Sequence, residues 1–282
     1  MAQISGIHSS FGPIAAEMIE VDGLSIRVAR DGAGSDAPIL LTAPWPESIF
    51  AFHAVWQEFR KEGPIIAVDL PGFGRSEGRP DLMSPARMGD FLITLLDVLG
   101  LDQVHAVVPD VGTLAALYAA VDHPERFKSI IAGCGGTSMD LLGEPLKQIV
   151  NSTPETFAGV EGGAQIVSLV REFARITPPD AVIEDYRLSS LDARWNEAAD
   201  FVRAYKIDLP RLAELLPLIS TPVLVISGKD DPFVPSANGE FLEQHLQNCK
   251  AVVIDAGHFV WEDAPDDYAA LATDWIRAAN GR

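Results

Sequence analysis

Short apolar runs alternate along most of this chain with longer stretches of helical periodicity. Apolar runs that are continuous rather than alternating are typical of strands whose two faces are both covered by helices. Six runs predict such strands: ILLTA (39–43), PIIAVDL (64–70), VHAVVP (104–109), SIIAG (129–133), PVLVISG (222–228) and AVVIDAG (251–257). Helices are predicted around residues 49–61, 84–99, 112–122, 237–248 and 265–278. This alternation favours an α/β fold with a mostly parallel sheet.

Two segments depart from this alternation. The stretch EMIEVDGLSIRVAR (17–30) predicts a hairpin at the edge of the sheet, turning at Asp22-Gly23. Residues 138–218 carry no strand pattern and consist of short amphipathic patterns divided by prolines. We interpret this second segment as a helical cap inserted into a core formed by residues 1–137 and 219–282.

Composition narrows the classes of partner. A formal charge of −19 over 282 residues would repel phosphate backbones, which argues against nucleic acid as a partner. The sequence has no apolar run long enough for a bilayer and no secretory pattern at its N-terminus. Cys134 and Cys249 lack metal-ligand spacing. We therefore expect a cytoplasmic protein that acts on a small molecule with water, without membrane, cofactor or metal; the oligomeric state stays open.

Three side chains able to do chemistry follow predicted strands. Asp110 comes directly after VHAVVP, Asp231 follows PVLVISGKD, and His258 follows AVVIDAG. In an open parallel sheet, ligands bind beyond the carboxyl ends of the strands, where these three residues would lie together. They are our candidate catalytic residues.

The motifs around these residues resemble those of the α/β-hydrolase family over nearly the whole chain. The elbow VVPDVGT (107–113), the loop DLPGFGRSEG (69–78), GKDDPFVP (228–235) and AGHF (256–259) carry the resemblance. It implies an eight-stranded, mostly parallel sheet flanked by helices, with a cap, and a nucleophile on a sharp strand-to-helix turn. The elbow residue is usually serine but is aspartate here, as in the epoxide hydrolase and haloalkane dehalogenase branch.

An aspartate at the elbow implies an alkyl ester as the intermediate. A carboxylate with an ordinary pKa of about 3.9 is already ionised near neutral pH and can attack a saturated carbon. His258 would then deprotonate the water that hydrolyses the ester, and Asp231 would orient His258. Asp231 is preferred to Asp230 because it stands four residues before Pro235, as in the family pattern D-x-x-V-P.

The resemblance also implies two amide donors for the oxyanion, the N–H groups of Val111 and Trp45. Here the loop reads TAPWPES, so that Ala43 and Pro44 replace the family's histidine and glycine. Pro44 has no N–H and restricts the backbone before Trp45.

Several substrate classes stay open from the sequence. An epoxide ranks slightly ahead because Tyr186 and Tyr205 of the predicted cap could protonate its oxygen. A haloalkane is the alternative, with the indole N–H of Trp45 or Trp195 on the halide; Val111 replaces the tryptophan that dehalogenases carry after the nucleophile. Trp261 is a further candidate for the pocket wall. An ester or lactone substrate and a non-catalytic ligand-binding role rank lower.

Overall fold

Nine strands form one sheet in the computed structural model, which describes residues 10–34 and 37–281. The sheet order is β1-β2-β3-β5-β4-β6-β7-β8-β9. The strands are β1 (Ser10–Phe11), β2 (Ile14–Val21), β3 (Leu24–Asp31), β4 (Ile39–Thr42), β5 (Ile65–Val68), β6 (Val104–Pro109), β7 (Phe127–Gly133), β8 (Val223–Gly228) and β9 (Cys249–Ile254). All six strands predicted from apolar runs are confirmed. The sheet has one strand more than expected because the two-residue β1 pairs with β2.

The sheet is parallel from β5 to β9 and antiparallel at its other edge. The predicted hairpin is confirmed as β2 and β3, which pair in antiparallel register from Val21 and Leu24. Asp22 and Gly23 between them have φ values of 51° and 75°. Two successive residues with positive φ form the turn whose twist matches that of a hairpin.

Eleven helices accompany these strands in the described ranges. Those outside the predicted cap are α1 (Trp56–Glu62), α2 (Pro85–Leu99), α3 (Val111–Asp122), α9 (Ala237–His245), α10 (Val260–Asp263) and α11 (Pro265–Ala279). The helix predicted over 49–61 is divided instead: a 3₁₀ turn, Ile49–Phe52, precedes α1. The side chain of Ser48 caps that turn by accepting the N–H of Phe50.

Five helices occupy the segment between β7 and β8, in agreement with its lack of a strand pattern. They are α4 (Glu144–Asn151), α5 (Gly162–Phe173), α6 (Asp180–Ser189), α7 (Arg194–Arg203) and α8 (Tyr205–Leu215). We keep the division into a core and a cap over residues 138–218 as a proposal.

The sheet separates two apolar cores. Leu40 of β4 packs in the core that includes residues of α2 and α3, whereas its neighbours Ile39 and Leu41 pack in the core with α1 and α11. Successive side chains of a strand point to opposite faces, which explains this division and the continuous apolar runs. Among the described helices, none combines the length and the apolarity needed to span a bilayer.

Candidate active site

The three candidate catalytic side chains meet at the carboxyl edge of the sheet. Asp110 follows β6, Asp231 lies in the loop after β8, and His258 lies in the loop after β9. His258 Nδ1 is 2.8 Å from Asp231 Oδ2, and His258 Nε2 is 4.0 Å from Asp110 Oδ1. All three are buried. The imidazole thus stands between the two carboxylates, with one ring nitrogen toward each.

Asp110 stands on a strained turn. Its φ of 52° and ψ of −121° lie outside the regions that residues with side chains prefer. Gly112 makes the turn possible, since a Cβ atom there would be 2.0 Å from Thr42 Oγ1. Strain of this kind persists where the surroundings enforce it and is concentrated at functional sites. The turn presents the carboxylate at the N-terminus of α3, between β6 and the loops that surround it.

Two backbone amides donate to the carboxylate of Asp110. The N–H of Trp45 lies 2.7 Å from Asp110 Oδ2, and the N–H of Val111 also hydrogen-bonds to Asp110. Pro44 therefore leaves the Trp45 amide free to point into the site. The two oxygens of Asp110 differ as a result: Oδ2 is held by Trp45, while Oδ1 is the oxygen nearest His258.

The surroundings of Asp110 set its ionisation. Burial raises its pKa to about 6, although His258 and the N–H groups of Trp45 and Val111 act in the opposite direction. The ionised carboxylate of Asp110 is therefore the major form only above about pH 6. A buried, sparsely solvated carboxylate is a stronger nucleophile than one in water.

His258 is oriented by a carboxylate that is itself fixed. Asp231 Oδ1 accepts the N–H groups of Phe233 and Val234 at 2.8 and 2.9 Å, which leaves Oδ2 for His258 Nδ1. Burial lowers the pKa of His258, but the carboxylates of Asp231, Asp110 and Asp263 together outweigh burial, so the net pKa is raised. Asp230 faces the other way, toward an exposed ion pair with Arg175.

We expect Asp231→Asn to lower turnover by about 10³- to 10⁴-fold, because an amide cannot balance the imidazolium and favours the wrong tautomer. Asp230→Asn is the matched control, since it changes the neighbouring acid in the same way and should leave turnover within about twofold. Steady-state rates of the two variants at about pH 8 decide the matter. Equal losses of turnover in the two variants would contradict the assignment of Asp231, rather than Asp230, as the acid that orients His258.

A small apolar cavity opens above Asp110. Its volume is about 40 Å³, and Asp110 and His258 form its polar part. The other lining residues are Trp45, Pro46, Leu146, Ile149, Leu169, Trp195, Phe233, Val234 and Phe259. A second cavity of about 300 Å³ shares Ile149, Leu169, Trp195 and Phe233 with it. The site therefore suits a small uncharged group, with the larger cavity directly beside it.

Two tryptophans form one wall of this cavity. The rings of Trp45 and Trp195 stack with their centroids 4.6 Å apart, inclined by 27°. Trp195 is 4% exposed, and its Nε1 has no hydrogen-bond partner among the described residues. A buried N–H without a partner is costly. Trp195 therefore carries an unpaired buried N–H and also lines the cavity.

The structure places the other three candidate pocket residues away from the cavity lining. The hydroxyl of Tyr186 donates to Glu262 Oε1 at 2.8 Å, and the indole of Trp261 donates to Glu47 Oε1 at 3.4 Å. Tyr205 is buried near enough for the charge of Asp110 to raise its pKa, after the larger effect of burial. The hydroxyl proton of Tyr186 is thus already engaged in a hydrogen bond with Glu262.

The sequence led us to expect an apolar lining from the cap but did not identify its residues on α4 and α5, and it did not reveal the paired acids Glu47 and Glu262. Leu146, Ile149 and Leu169 lie at ordinary amphipathic positions, so no local signal separates lining residues from core residues. Glu47 had a usable signal, since it is a carboxylate within the apolar stretch PWPESIFAF (44–52).

Cys134 completes a set of three potential metal ligands with Asp231 and His258, whose ligand atoms lie within 4.8 Å of one another. Burial raises the pKa of the Cys134 thiol well above its usual value, so the thiol stays protonated. His258 Nδ1 is already bonded to Asp231. These properties fit an acid–histidine pair better than a metal site.

Comparisons with known proteins agree with this architecture. A model of the alpha/beta hydrolase fold matches residues 45–265. The chain is 28% identical to a 2-hydroxy-6-oxononadienedioate/2-hydroxy-6-oxononatrienedioate hydrolase of Burkholderia vietnamiensis, over 96% of this chain and 98% of the relative. A putative epoxide hydrolase from Pseudomonas aeruginosa superimposes with a TM-score of 0.81 at 20% identity, covering 95% and 97% of the two chains. A thermophilic esterase from Thermogutta terrifontis gives 0.75 at 23% identity, covering 94% and 98%.

Proposed function

Because the chain belongs to the α/β-hydrolase fold family, we propose that it hydrolyses small uncharged alkyl electrophiles through a covalent ester on Asp110. Asp110 Oδ1 attacks a saturated carbon, and the leaving group departs with the bonding electrons. His258 then removes a proton from water, whose oxygen attacks the carbonyl carbon of the ester. Collapse of the tetrahedral intermediate, with the proton on His258 passing to the departing alkoxide, releases the alcohol. The new carboxyl of Asp110 then loses its proton to solvent, which restores the carboxylate.

The hydrogen bond from Trp45 N–H to Asp110 Oδ2 carries this proposal. Oδ2 becomes the carbonyl oxygen of the ester, and it already lies 2.7 Å from a donor that can stabilise it as an oxyanion. An ester, lactone or ketone substrate would need the same donor for its own carbonyl oxygen. Since the carboxylate of the nucleophile occupies that position, attack on a saturated carbon fits better than acyl transfer.

The leaving group follows from the donors on the cavity wall. An alkoxide from an epoxide needs an acid, and the hydroxyl of Tyr186 is bound to Glu262 outside the cavity. A halide needs hydrogen-bond donors but no proton. We assign this role to Trp195, because it lines the cavity beside Trp45 and its buried Nε1 has no partner among the described residues. We therefore reverse the order given by the sequence, with a short haloalkane first and an epoxide second.

The relative from Burkholderia vietnamiensis is named for a substrate with two carboxylates. The cavity above Asp110 has no lysine or arginine among its lining residues in the described chain. A dianion would meet the carboxylate of Asp110 within a protein of charge −19. We accordingly propose a different, uncharged substrate for this chain.

We expect Trp195→Phe to slow halide release from a short bromoalkane by about 10- to 100-fold, which corresponds to the loss of one hydrogen bond to a charged group. The substitution keeps most of the ring stack with Trp45. Trp275→Phe is the matched control, because Trp275 also has a buried Nε1 without a partner but lies on α11, away from the cavity. Halide release should be unchanged in that control.

Comparison of Trp195→Phe with a further variant, Tyr205→Phe, separates the two substrate classes. If Trp195→Phe leaves halide release unchanged while Tyr205→Phe stops the opening of a small epoxide, the epoxide takes first place. Release of neither product by the unmodified protein would contradict both substrate classes.

A further inference from the structure

Two buried glutamates join the loop of Trp45 to the loop of His258. Glu47 lies two residues after Trp45, Glu262 lies four residues after His258, and both are at most 3% exposed. The two carboxyl groups are close enough for each to influence the pKa of the other. Each also accepts a neighbour's proton: Trp261 donates to Glu47 Oε1 at 3.4 Å, and Tyr186 donates to Glu262 Oε1 at 2.8 Å.

No counterion accompanies the pair. Within the described ranges, neither glutamate has a lysine or arginine in ion-pair contact. The basic group in contact with the pair is His53, whose Nδ1 is 3.7 Å from Glu262 Oε1. Burial lowers the pKa of His53, so it is a poor source of positive charge. The Oε2 atoms of both glutamates are buried and accept no N–H or O–H of the described residues. Two ionised carboxylates in such a place would repel each other strongly.

We propose that Glu47 and Glu262 share one proton and act as a positioning pair, which holds the amide of Trp45 and the imidazole of His258 on either side of Asp110. A protonated carboxyl can donate to an ionised one, and this bond satisfies oxygens that nothing else reaches. The part played in catalysis rests on the proposed function, whereas the shared proton does not.

The surroundings favour retention of that proton. Burial and the neighbouring Glu262 raise the pKa of Glu47 well above its usual value, and burial raises that of Glu262 to about 7. Asp110 adds repulsion on Glu47, and Asp263 does so on Glu262. Because these pKa values are raised in the folded protein, the stabilisation by the pair is lost as pH rises through them. Full ionisation would push the two loops apart.

Infrared spectroscopy of the protein in D₂O at about pH 8 tests the shared proton without any substrate. We expect a carbonyl stretch of a buried protonated carboxyl in the unmodified protein, and its loss in Glu47→Gln. Glu262→Gln removes the carboxylate neighbour, so the band should vanish at a lower pH than in the unmodified protein. Asp69→Asn and Asp110→Asn are the controls, since they remove the two buried aspartates with a raised pKa and should retain the band.

Turnover against pH tests the positioning. Turnover of the unmodified protein should fall at alkaline pH, because full ionisation of the pair moves the two loops apart. Glutamine has the size of glutamate and an N–H donor but cannot ionise. Glu47→Gln should therefore turn over within about threefold of the unmodified protein near pH 7 and show no such alkaline decline. Absence of the infrared band in the unmodified protein, or its persistence in both glutamine variants, overturns the shared proton. An alkaline decline that persists in Glu47→Gln overturns the positioning. The infrared result does not depend on whether Asp110 forms an ester. A protein without turnover would contradict the proposed function and the positioning, and would leave the infrared result unaffected.

Discussion

We expect Asp110→Asn to lower turnover by at least about 10⁴-fold while the fold remains intact, because the amide cannot attack carbon and no other carboxylate lines the cavity in the described chain. The same change should stabilise the protein. The raised pKa of Asp110, about 6, means that burial disfavours its ionised form, and this cost is present above that pH. The free energy of unfolding at about pH 8 should therefore rise by on the order of 1 to 3 kcal/mol.

The rate of product release by the purified Asp110→Asn protein measures the loss of turnover, and urea denaturation measures the change in the free energy of unfolding. A loss of turnover together with lower stability would indicate a damaged fold, so Asp110→Ala serves as a second variant. Full turnover by either variant would contradict the assignment of Asp110 as the nucleophile.

Arg27→Ala should be the most destabilising single change outside the site, with a loss of about 3 to 5 kcal/mol. Arg27 is 2% exposed and lies 2.8 Å from Asp185 Oδ2 on α6 and 3.4 Å from Asp69 Oδ2 after β5. Its removal leaves two buried carboxylates without this cation. Ser48 and Ile49 also donate to these acids, so the loop that carries Trp45 should be loosened as well.

Urea denaturation at neutral pH measures the effect of Arg27→Ala. Arg30→Ala is the control: Arg30 lies on the same strand β3, and its ion pair with Glu17 is about half exposed. Surface pairs contribute little, so that control should change the free energy of unfolding by less than about 1 kcal/mol. Similar losses in the free energy of unfolding of both variants would show that the buried ion pairs of Arg27 stabilise the protein no more than an exposed ion pair does.

The sequence predicted the six parallel strands well, since each is a continuous apolar run that must be covered on both faces. It also identified Asp110, Asp231 and His258 as neighbours, because the carboxyl ends of parallel strands share one edge of the sheet. Their catalytic roles remain part of the proposal. The hydrogen bond between Trp45 and Asp110 could not be predicted from the sequence, because it depends on the conformation of the backbone after Pro44.

The cavity wall was predicted less well because its contacts are long-range. Tyr186 reads as a possible acid in the predicted cap, yet its hydroxyl meets Glu262, 76 residues further along the chain. Asp185, its neighbour, is fixed by Arg27 across 158 residues. Such partners follow from the packing of α6 against the core, and no periodicity within the helix specifies them.

The ester on Asp110 is the central claim, and the intact mass of the His258→Gln variant tests it most directly. Without its general base this variant should form the ester and fail to hydrolyse it, so the adduct accumulates. After incubation with a short bromoalkane, the mass should rise by the alkyl group without bromine, and peptide mapping should locate the increase on Asp110. An unmodified Asp110 after incubation with both a bromoalkane and a small epoxide would contradict the mechanism.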